Sequence, residues 1–347
     1  MKAFVIEGKG VSYMTDVEEP QLEDKYSVKV QVESVGICGT DIRIFEGKHA
    51  ASIGQKRIPG HEFAGKVVEV GSAVKKLKVG DRVVHEPISY CGKCYACRHG
   101  QGNVCAHLHV TGCNMSGGME EYFVAKEQQW HKIPDWVTWN EAAMVEPYTI
   151  GAQTCARANV LPGDTVLIHG AGPIGLTVAD TAMHLGATVI ISEVTDGRLK
   201  LARAMGVPYV IDAKTQDTKE ELMKITDGEG ANVVCDCAGI RAIAEDAVNE
   251  CSVAGRFVPV AAVPFTFDSY EAMHKQVNVI STRLQMNQFV PVIARYVLYK
   301  ENIDRMITDV FDFNEIKKAF EYAAERHPDT GKIVLRFNKL AEDGTDL

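Results

Sequence analysis

Nothing in this 347-residue chain approaches the run of roughly 20 apolar residues that a membrane-crossing helix needs. A helical membrane protein is therefore not expected. Basic residues are in the minority: Lys and Arg total 37 against 46 Asp and Glu, for a net charge of −9. With no basic stripe to meet phosphates, neither nucleic acid nor an anionic membrane surface is the expected partner. The opening residues 1–8 are too short in apolar length for a secretory signal and read as a strand, which makes the cytoplasm the expected location. Internal repeats and low-complexity tracts are missing as well. What is present, 46% hydrophobic and 24% charged residues, is ordinary globular composition, long enough for two or three domains and a sizeable core.

The ten cysteines do not make a disulfide scaffold, which is usually short and cysteine-rich throughout. Four of them fall within 15 residues, as Cys91-x2-Cys94-x2-Cys97-x7-Cys105. These spacings suit one tetrahedral Zn²⁺, and Gly92, Lys93 and Arg98 suit a loop folded round an ion. With sulfur in all four places no coordination position stays open, so this zinc is expected to be structural. His85, His99, His107 and His109 flank the cluster and find no vacancy in it. Of the scattered cysteines, Cys113, Cys155 and Cys251 have no partner spacing, and Cys235 and Cys237 read as small buried residues on one strand.

The chain divides by texture. Residues 1–149 hold short β-branched runs between glycine turns, such as 27–32, 65–71 and 81–84, whose period of two predicts half-buried antiparallel strands. Beyond Pro162-Gly163-Asp164 strands and helices alternate. Strands are expected near 165–168, 188–192, 209–212, 233–237, 256–260 and 278–281, and helices near 173–185, 198–205, 218–226 and 242–252. The fold class is therefore α/β, with a doubly wound parallel sheet over 150–287. Residues 288–347 open with a helix and carry a strand at 332–337, expected to return and complete the first domain. The last residues, 341–347, read as a frayed acidic tail.

Gly170-Ala171-Gly172-Pro173-Ile174-Gly175 follows the first buried strand and opens the first helix. The first two glycines permit a tight turn and close approach of a pyrophosphate. The third lets helix and strand pack, and the helix N-terminus attracts phosphate. Glu193 ends the next strand 23 residues after Gly170, where a carboxylate can accept ribose hydroxyls and repel a 2′-phosphate. NAD is the expected cofactor, although Arg198 nearby could reach a phosphate. His169, beside this loop, reads as a packing residue.

A sparser constellation joins Gly36-Ile37-Cys38-Gly39-Thr40-Asp41 with Gly60-His61-Glu62. A cysteine, a histidine and a carboxylate can hold a metal while leaving a fourth place for substrate, as catalytic zinc requires. With Val145-Glu146-Pro147, the four-cysteine lobe and the glycine loop, these motifs stand in the order and at the spacing of the zinc-dependent medium-chain dehydrogenases, which the sequence resembles over nearly its whole length. Within that family it looks closest to the polyol and sugar-acid branch, similar to sorbitol, galactitol-phosphate, threonine and L-gulonate or L-galactonate dehydrogenases.

The resemblance implies a GroES-like β-rich catalytic domain, a Rossmann domain and a cleft between them. It implies two zinc ions per chain and a homotetramer or dimer acting on a small polyol or sugar acid. Cys38 and His61 match the catalytic zinc ligands, and Glu62 or Glu146 the carboxylate ligand. Thr40 matches the residue that relays the substrate proton, and Asp41 a position that braces a ligand. Arg283 matches an arginine near the cleft of the polyol branch. Two positions depart from the pattern. Arg43 stands where many relatives have histidine in the proton relay, and Asp309 where Thr-His-x-Phe is common. Threonine-type or simple secondary alcohol dehydrogenation is the alternative within the family. A metal-independent quinone reductase, a zinc-ribbon nucleic-acid binder and a non-catalytic NAD- and zinc-binding protein are the rivals outside it. None of these three uses Cys38, His61, Glu62 and the glycine loop together.

Overall fold

The computed structural model describes residues 1–8, 11–49 and 56–337; the expected acidic tail at 341–347 lies outside the described residues. Two large sheets organise the chain. The first has seven strands. Its path runs Ile307–Asp312, Lys332–Arg336, Ser27–Ile37, Glu62–Val70, Arg82–His85 and Trp130–Lys132, with Tyr122–Lys126 also pairing to Ser27–Ile37. Strands far apart in sequence thus lie side by side: Ile333 faces Ile37 and Val334 faces Gly36 in antiparallel register. On the other flank Gly36 faces Glu62.

The expected alternation fails in Ser27–Ile37. Ten of its 11 residues are buried, on both faces, because it is the central strand of this sheet. Its apolar side packs with Phe4, Ile6, Phe63 and Phe320. Short strands nearer the edge keep the alternation, as in Tyr122–Lys126.

The second sheet is parallel throughout, in the order Tyr209–Asp212, Thr188–Glu193, Thr165–His169, Ala231–Asp236, Cys251–Pro259, Asn278–Val279. In sequence order that is 3-2-1-4-5-6, the doubly wound arrangement, in which ligands bind outside the carboxyl ends of the strands where the order reverses. Val166, Ile168, Val189 and Ile191 point to one core and Leu167, Ile190 and Val234 to the other, as a strand covered on both faces requires. The helix expected at 198–205 runs Asp196–Ala204. The last strand pairs over only Asn278 and Val279.

Helix Val145–Ala158 connects the two halves. It starts beside the first sheet and packs along helix Pro173–His184, where Gly151 lies so close to Thr177 that a Cβ would collide with its backbone. No helix among the described residues is long and apolar enough to cross a membrane.

Candidate active site

The four-cysteine lobe is built locally. Cys94 opens the single helical turn Tyr95–Arg98, and a 3₁₀ turn at Gly102–Val104 delivers Cys105. Gly92 and Gly100 adopt φ of +70° and +72°, the left-handed turns that fold the segment back on itself. The sulfurs converge: Cys94–Cys97 at 3.4 Å, Cys91–Cys105 at 3.5 Å and Cys94–Cys105 at 3.8 Å. Backbone N–H groups of Cys91 and His107 donate to Cys105 Sγ at 3.4 and 3.2 Å. Those of Cys97 and Ala106 draw the Cys94 thiol down to about 6. Amide donors of this kind favour the thiolate, the form that binds metal. Four convergent sulfurs with backbone donors fit a tetrahedral zinc ion.

The second cluster comes from distant segments. Strand Ser27–Ile37 ends one residue before Cys38, which opens helix Gly39–Phe45. Because Gly36 pairs with Glu62, the same strand contact carries Cys38 to His61 and Glu62. The three ligand atoms lie within 4.8 Å of one another. Asp41 is fully buried in the first turn of that helix and accepts the N–H of Cys38 at 2.9 Å and of Gly60 at 3.3 Å. Its carboxylate also faces His61 Nδ1 at 3.8 Å. Thr40 lies in the same first turn, partly exposed. Glu146 enters from helix Val145–Ala158 and is 6% exposed.

Burial dominates the electrostatics here. It pushes the Cys38 thiol up, helped by Glu62, and it raises Asp41. It lifts Glu146 to about 7, with Glu62 and Asp41 adding to the effect and His61 and Lys332 opposing it. Burial also works against a charged His61, but the Cys38 and Asp41 charges outweigh it and hold the imidazole well above its usual range. A buried group of thiol, imidazole and carboxylates that repel one another without a cation is the donor set a divalent ion would neutralise. These residues fit a zinc ion with a position left for substrate.

The glycine loop sits at the carboxyl end of Thr165–His169. Gly170 adopts φ +94° and donates to Ser192 O at 2.8 Å. Gly172 caps helix Pro173–His184 with an ordinary φ of −70°, and a Cβ there would meet nothing within 4 Å. Neither strain nor crowding within the protein calls for glycine at 172, whereas a phosphate held at the helix N-terminus does. Pro173 takes the first helical position, Ile174 is partly buried against the core, and Gly175 packs directly on the Gly170 carbonyl. Glu193, 7% exposed, ends the adjacent strand. Its carboxylate accepts N–H groups of Ala171 at 2.8 Å, Val194 at 2.7 Å and Thr195 at 2.9 Å. It therefore also pins the loop to the strand, a task the sequence did not signal. Arg198 Nη1 lies 3.9 Å from Glu193.

The two arginines lie apart from these groups. Arg43 is exposed in the last turn of helix Gly39–Phe45. Arg283 lines a cleft of about 830 Å³ with Gln101, Asn103 and Val104 of the cysteine lobe and Arg157, and its carbonyl accepts Asn103 Nδ2 at 2.8 Å. None of the cleft's lining residues is acidic, and none belongs to the metal set.

Three residues differ from expectation. Cys113, expected to lack a partner, hydrogen-bonds to His61, because its loop folds across Gly60 so tightly that a Cβ on Gly112 would strike the Gly60 carbonyl. His169, expected to serve only packing, pairs through Nε2 with Glu250 at 2.7 Å, both side chains being buried. Lys332, not singled out at all, is ion-paired to Glu62. No local motif marks any of the three, since each partner lies more than 50 residues away in sequence.

Comparison with known proteins gives matches over both halves. Residues 24–135 match the alcohol dehydrogenase GroES-like domain, and residues 173–297 the zinc-binding dehydrogenase family. A sorbitol dehydrogenase from Halalkalibacterium halodurans is 33% identical over 343 residues, 96% of this chain and 99% of that protein. An L-idonate 5-dehydrogenase from Vitis vinifera is 35% identical over 311 residues, 86% of this chain and 85% of that one. Among solved structures, an alcohol dehydrogenase from Escherichia coli complexed with NADH superposes with a TM-score of 0.89 at 32% identity, covering 97% of this chain and 99% of that one. With two family matches spanning both sheets and a relative that aligns over nearly its full length, this chain belongs to the zinc-dependent medium-chain dehydrogenases.

Proposed function

We propose that the protein is an NAD-dependent, two-zinc dehydrogenase that moves a hydride between the nicotinamide and a secondary alcohol of a polyol or sugar acid. The observation that carries this reading is the set Cys38, His61 and Glu62, whose ligand atoms lie within 4.8 Å of one another in a family that pairs such a set with a dinucleotide loop. In this reading Cys91, Cys94, Cys97 and Cys105 hold a structural zinc. Cys38 and His61, with Glu62 or Glu146, hold a catalytic one. When bound, that ion polarises the substrate oxygen as a Lewis acid.

The rest of the chemistry falls to the chain. Asp41 fixes the orientation of His61. Thr40 takes the hydroxyl proton and passes it outward; Arg43, a permanently protonated guanidinium where many relatives have the relay histidine, offers its charge to the substrate instead. The loop at Gly170–Gly175 would hold the pyrophosphate of a bound dinucleotide and Glu193 its ribose, and the nicotinamide would supply the hydride acceptor. Catalytic residues sit in a first domain over 1–149, completed by 288–347, around a cofactor domain over 150–287. The protein works in the cytoplasm as a homo-oligomer, a tetramer or dimer.

Relatives named for sorbitol and idonate support a polyhydroxylated substrate. The match of Arg283 to an arginine of the polyol branch supports an anionic one, an aldonate ahead of a neutral polyol, although the cleft that Arg283 lines includes no residue of the metal set. The test is a screen of polyols and aldonates with NAD and NADP, alongside metal analysis. Two zincs per chain and turnover of a polyol or aldonate are expected. One zinc, or turnover of ethanol alone, overturns the reading. Arg283→Ala should lower kcat/KM for the acid about tenfold, the loss of one charged hydrogen bond, and spare neutral polyols.

A further inference from the structure

A polar network at the boundary between the two sheets has no part in the function above. It joins helix Val145–Ala158 to the segment 280–288, which follows the last strand of the parallel sheet. Gln153, buried on that helix, accepts the N–H of Met286 at 3.1 Å and Nε2 of Gln288 at 3.4 Å through one oxygen. Gln285, 1% exposed, reaches out of this half altogether. Its Nε2 donates to Oε1 of Glu86 at 2.7 Å, while its own oxygen accepts the N–H of Gln288 at 3.1 Å.

Glu86 belongs to the first sheet. It follows strand Arg82–His85, its N–H donates to the Gln129 carbonyl at 2.7 Å, and its other oxygen pairs with His131 Nε2 at 2.7 Å. His131 lies on the neighbouring strand Trp130–Lys132. Its ring rests flat on Phe289, with centroids 4.9 Å apart and planes 12° from parallel. One carboxylate thus grips both sheets. The backbone around these bonds is held in an unfavourable shape. Leu284 and Asn287 adopt φ of +51° and +59°, the left-handed region that a leucine rarely enters. Such a conformation persists only where the surroundings over-determine it. Here hydrogen bonds at Arg283, Gln285, Met286 and Gln288 flank both residues. A plain connection from strand to helix needs neither the strain nor a buried amide that leaves its own half to find a partner.

The metal set stands at the first sheet and the glycine loop at the second, so the angle between the sheets governs how the two reactants meet. A misplacement of roughly 1 Å can cost about a hundredfold in rate. We infer that Gln285 is a positioning residue: its bond to Glu86 straps the two sheets together at the angle hydride transfer requires. The inference rests on the reading of the metal set and the glycine loop proposed above.

The test uses the zinc-loaded enzyme with saturating NAD and whichever of the polyols, aldonates, threonine and ethanol the wild type turns over fastest. Gln285→Glu sets a second carboxylate against Glu86 and should break the strap. Hydride transfer in a single turnover, followed by the absorbance of the reduced cofactor, should slow by roughly 10- to 100-fold. Zinc content, NAD affinity and melting temperature should stay near wild type. In the enzyme without cofactor, the amides of Met286 and Gln288 should exchange faster with deuterated water. Glu86→Gln alone keeps an acceptor for Gln285 and should cost little. Combined with Gln285→Glu it supplies the new carboxylate with a donor, and the double variant should recover both the transfer rate and the slow exchange. Should Gln285→Glu fail to fold, Gln285→Met removes the bond without adding charge and should show the same slow transfer and fast exchange. Transfer at the wild-type rate in Gln285→Glu or Gln285→Met, or a double variant no better than Gln285→Glu, overturns the inference. A wild type inert toward every alcohol tested overturns the dehydrogenase reading itself and the inference with it, an outcome distinct from an active wild type whose variants are equally fast.

Discussion

The two sulfur-bearing clusters of this chain are built in opposite ways. The lobe draws Cys91, Cys94, Cys97 and Cys105 from one loop, partly open to solvent, and stabilises its sulfurs with its own backbone N–H groups. The inner set draws Cys38, His61, Glu62, Glu146 and Lys332 from four segments of the chain and places them among buried side chains. A local loop can close round an ion with little help from the rest of the protein. A set assembled from distant strands depends on the whole sheet. The first arrangement suits a structural ion and the second a reactive one, because burial strengthens every charge interaction in the site.

Substitutions that strike one cluster should leave the other untouched. His61→Ala should lower kcat by roughly a thousandfold or more, since several kcal/mol of charge stabilisation is lost. One of two zincs should go, while NAD titration by fluorescence remains near wild type. Substantial residual turnover would break the contrast. Cys94→Ser should show the reverse pattern: one zinc lost and a melting temperature lower by roughly 5 °C, the consequence of a few kcal/mol in a domain this size. The kcat of the fraction still folded should stay within about threefold. A variant with both zincs and unchanged melting would remove the structural role.

Acid should separate the two sites as well. Burial raises Glu146 to about 7, so in the metal-free protein its carboxyl is protonated below that pH and the carboxylate an ion needs is available only above it. Cys38 and His61 are raised as well, so metal uptake by the inner set displaces more than one proton and should weaken by more than about tenfold per unit as pH falls through 7. In the lobe the shifts oppose one another: N–H donors draw Cys94 down to about 6, and burial with its sulfur neighbours pushes Cys97 up to about 12, so its thiolates are split where the inner groups are all raised. Zinc titrations of metal-free protein at several pH values check this, and a parallel decline of both sites would argue against it. The smallest effect is expected at the cofactor. Glu193→Ser should raise KM for NAD by about three- to tenfold and narrow its advantage over NADP, because the carboxylate both repels a 2′-phosphate and ties Ala171 to the strand end. A wild type that already favours NADP would show that this carboxylate does not select the cofactor.

Legibility follows the same division. The cysteine spacing and the glycine loop are local geometries, so sequence carries them, as it carries the alternation of strands and helices in the parallel half. The inner set is visible in sequence only as two short motifs, and a family resemblance was needed to join them. Lys332 and Cys113 carried no signal, because a lysine before an apolar strand or a lone cysteine in a loop means nothing until the sheet registers are known. The burial of Ser27–Ile37 on both faces was missed for a related reason. A strand's own alternation does not show how many neighbours flank it.

The position of Lys332–Arg336 in the first sheet sets an order of events during synthesis. This strand lies directly against Ser27–Ile37, yet 294 residues separate Ile37 from Lys332. At ribosomal speeds of roughly 5–20 residues per second, one side of Ser27–Ile37 lacks its partner for some 15–60 seconds after it is made. The parallel sheet, contiguous in sequence, can form within that interval. An unpaired apolar strand is a template for association with other chains. The nascent first domain is thus a natural client for chaperones until its last strand arrives to seal it.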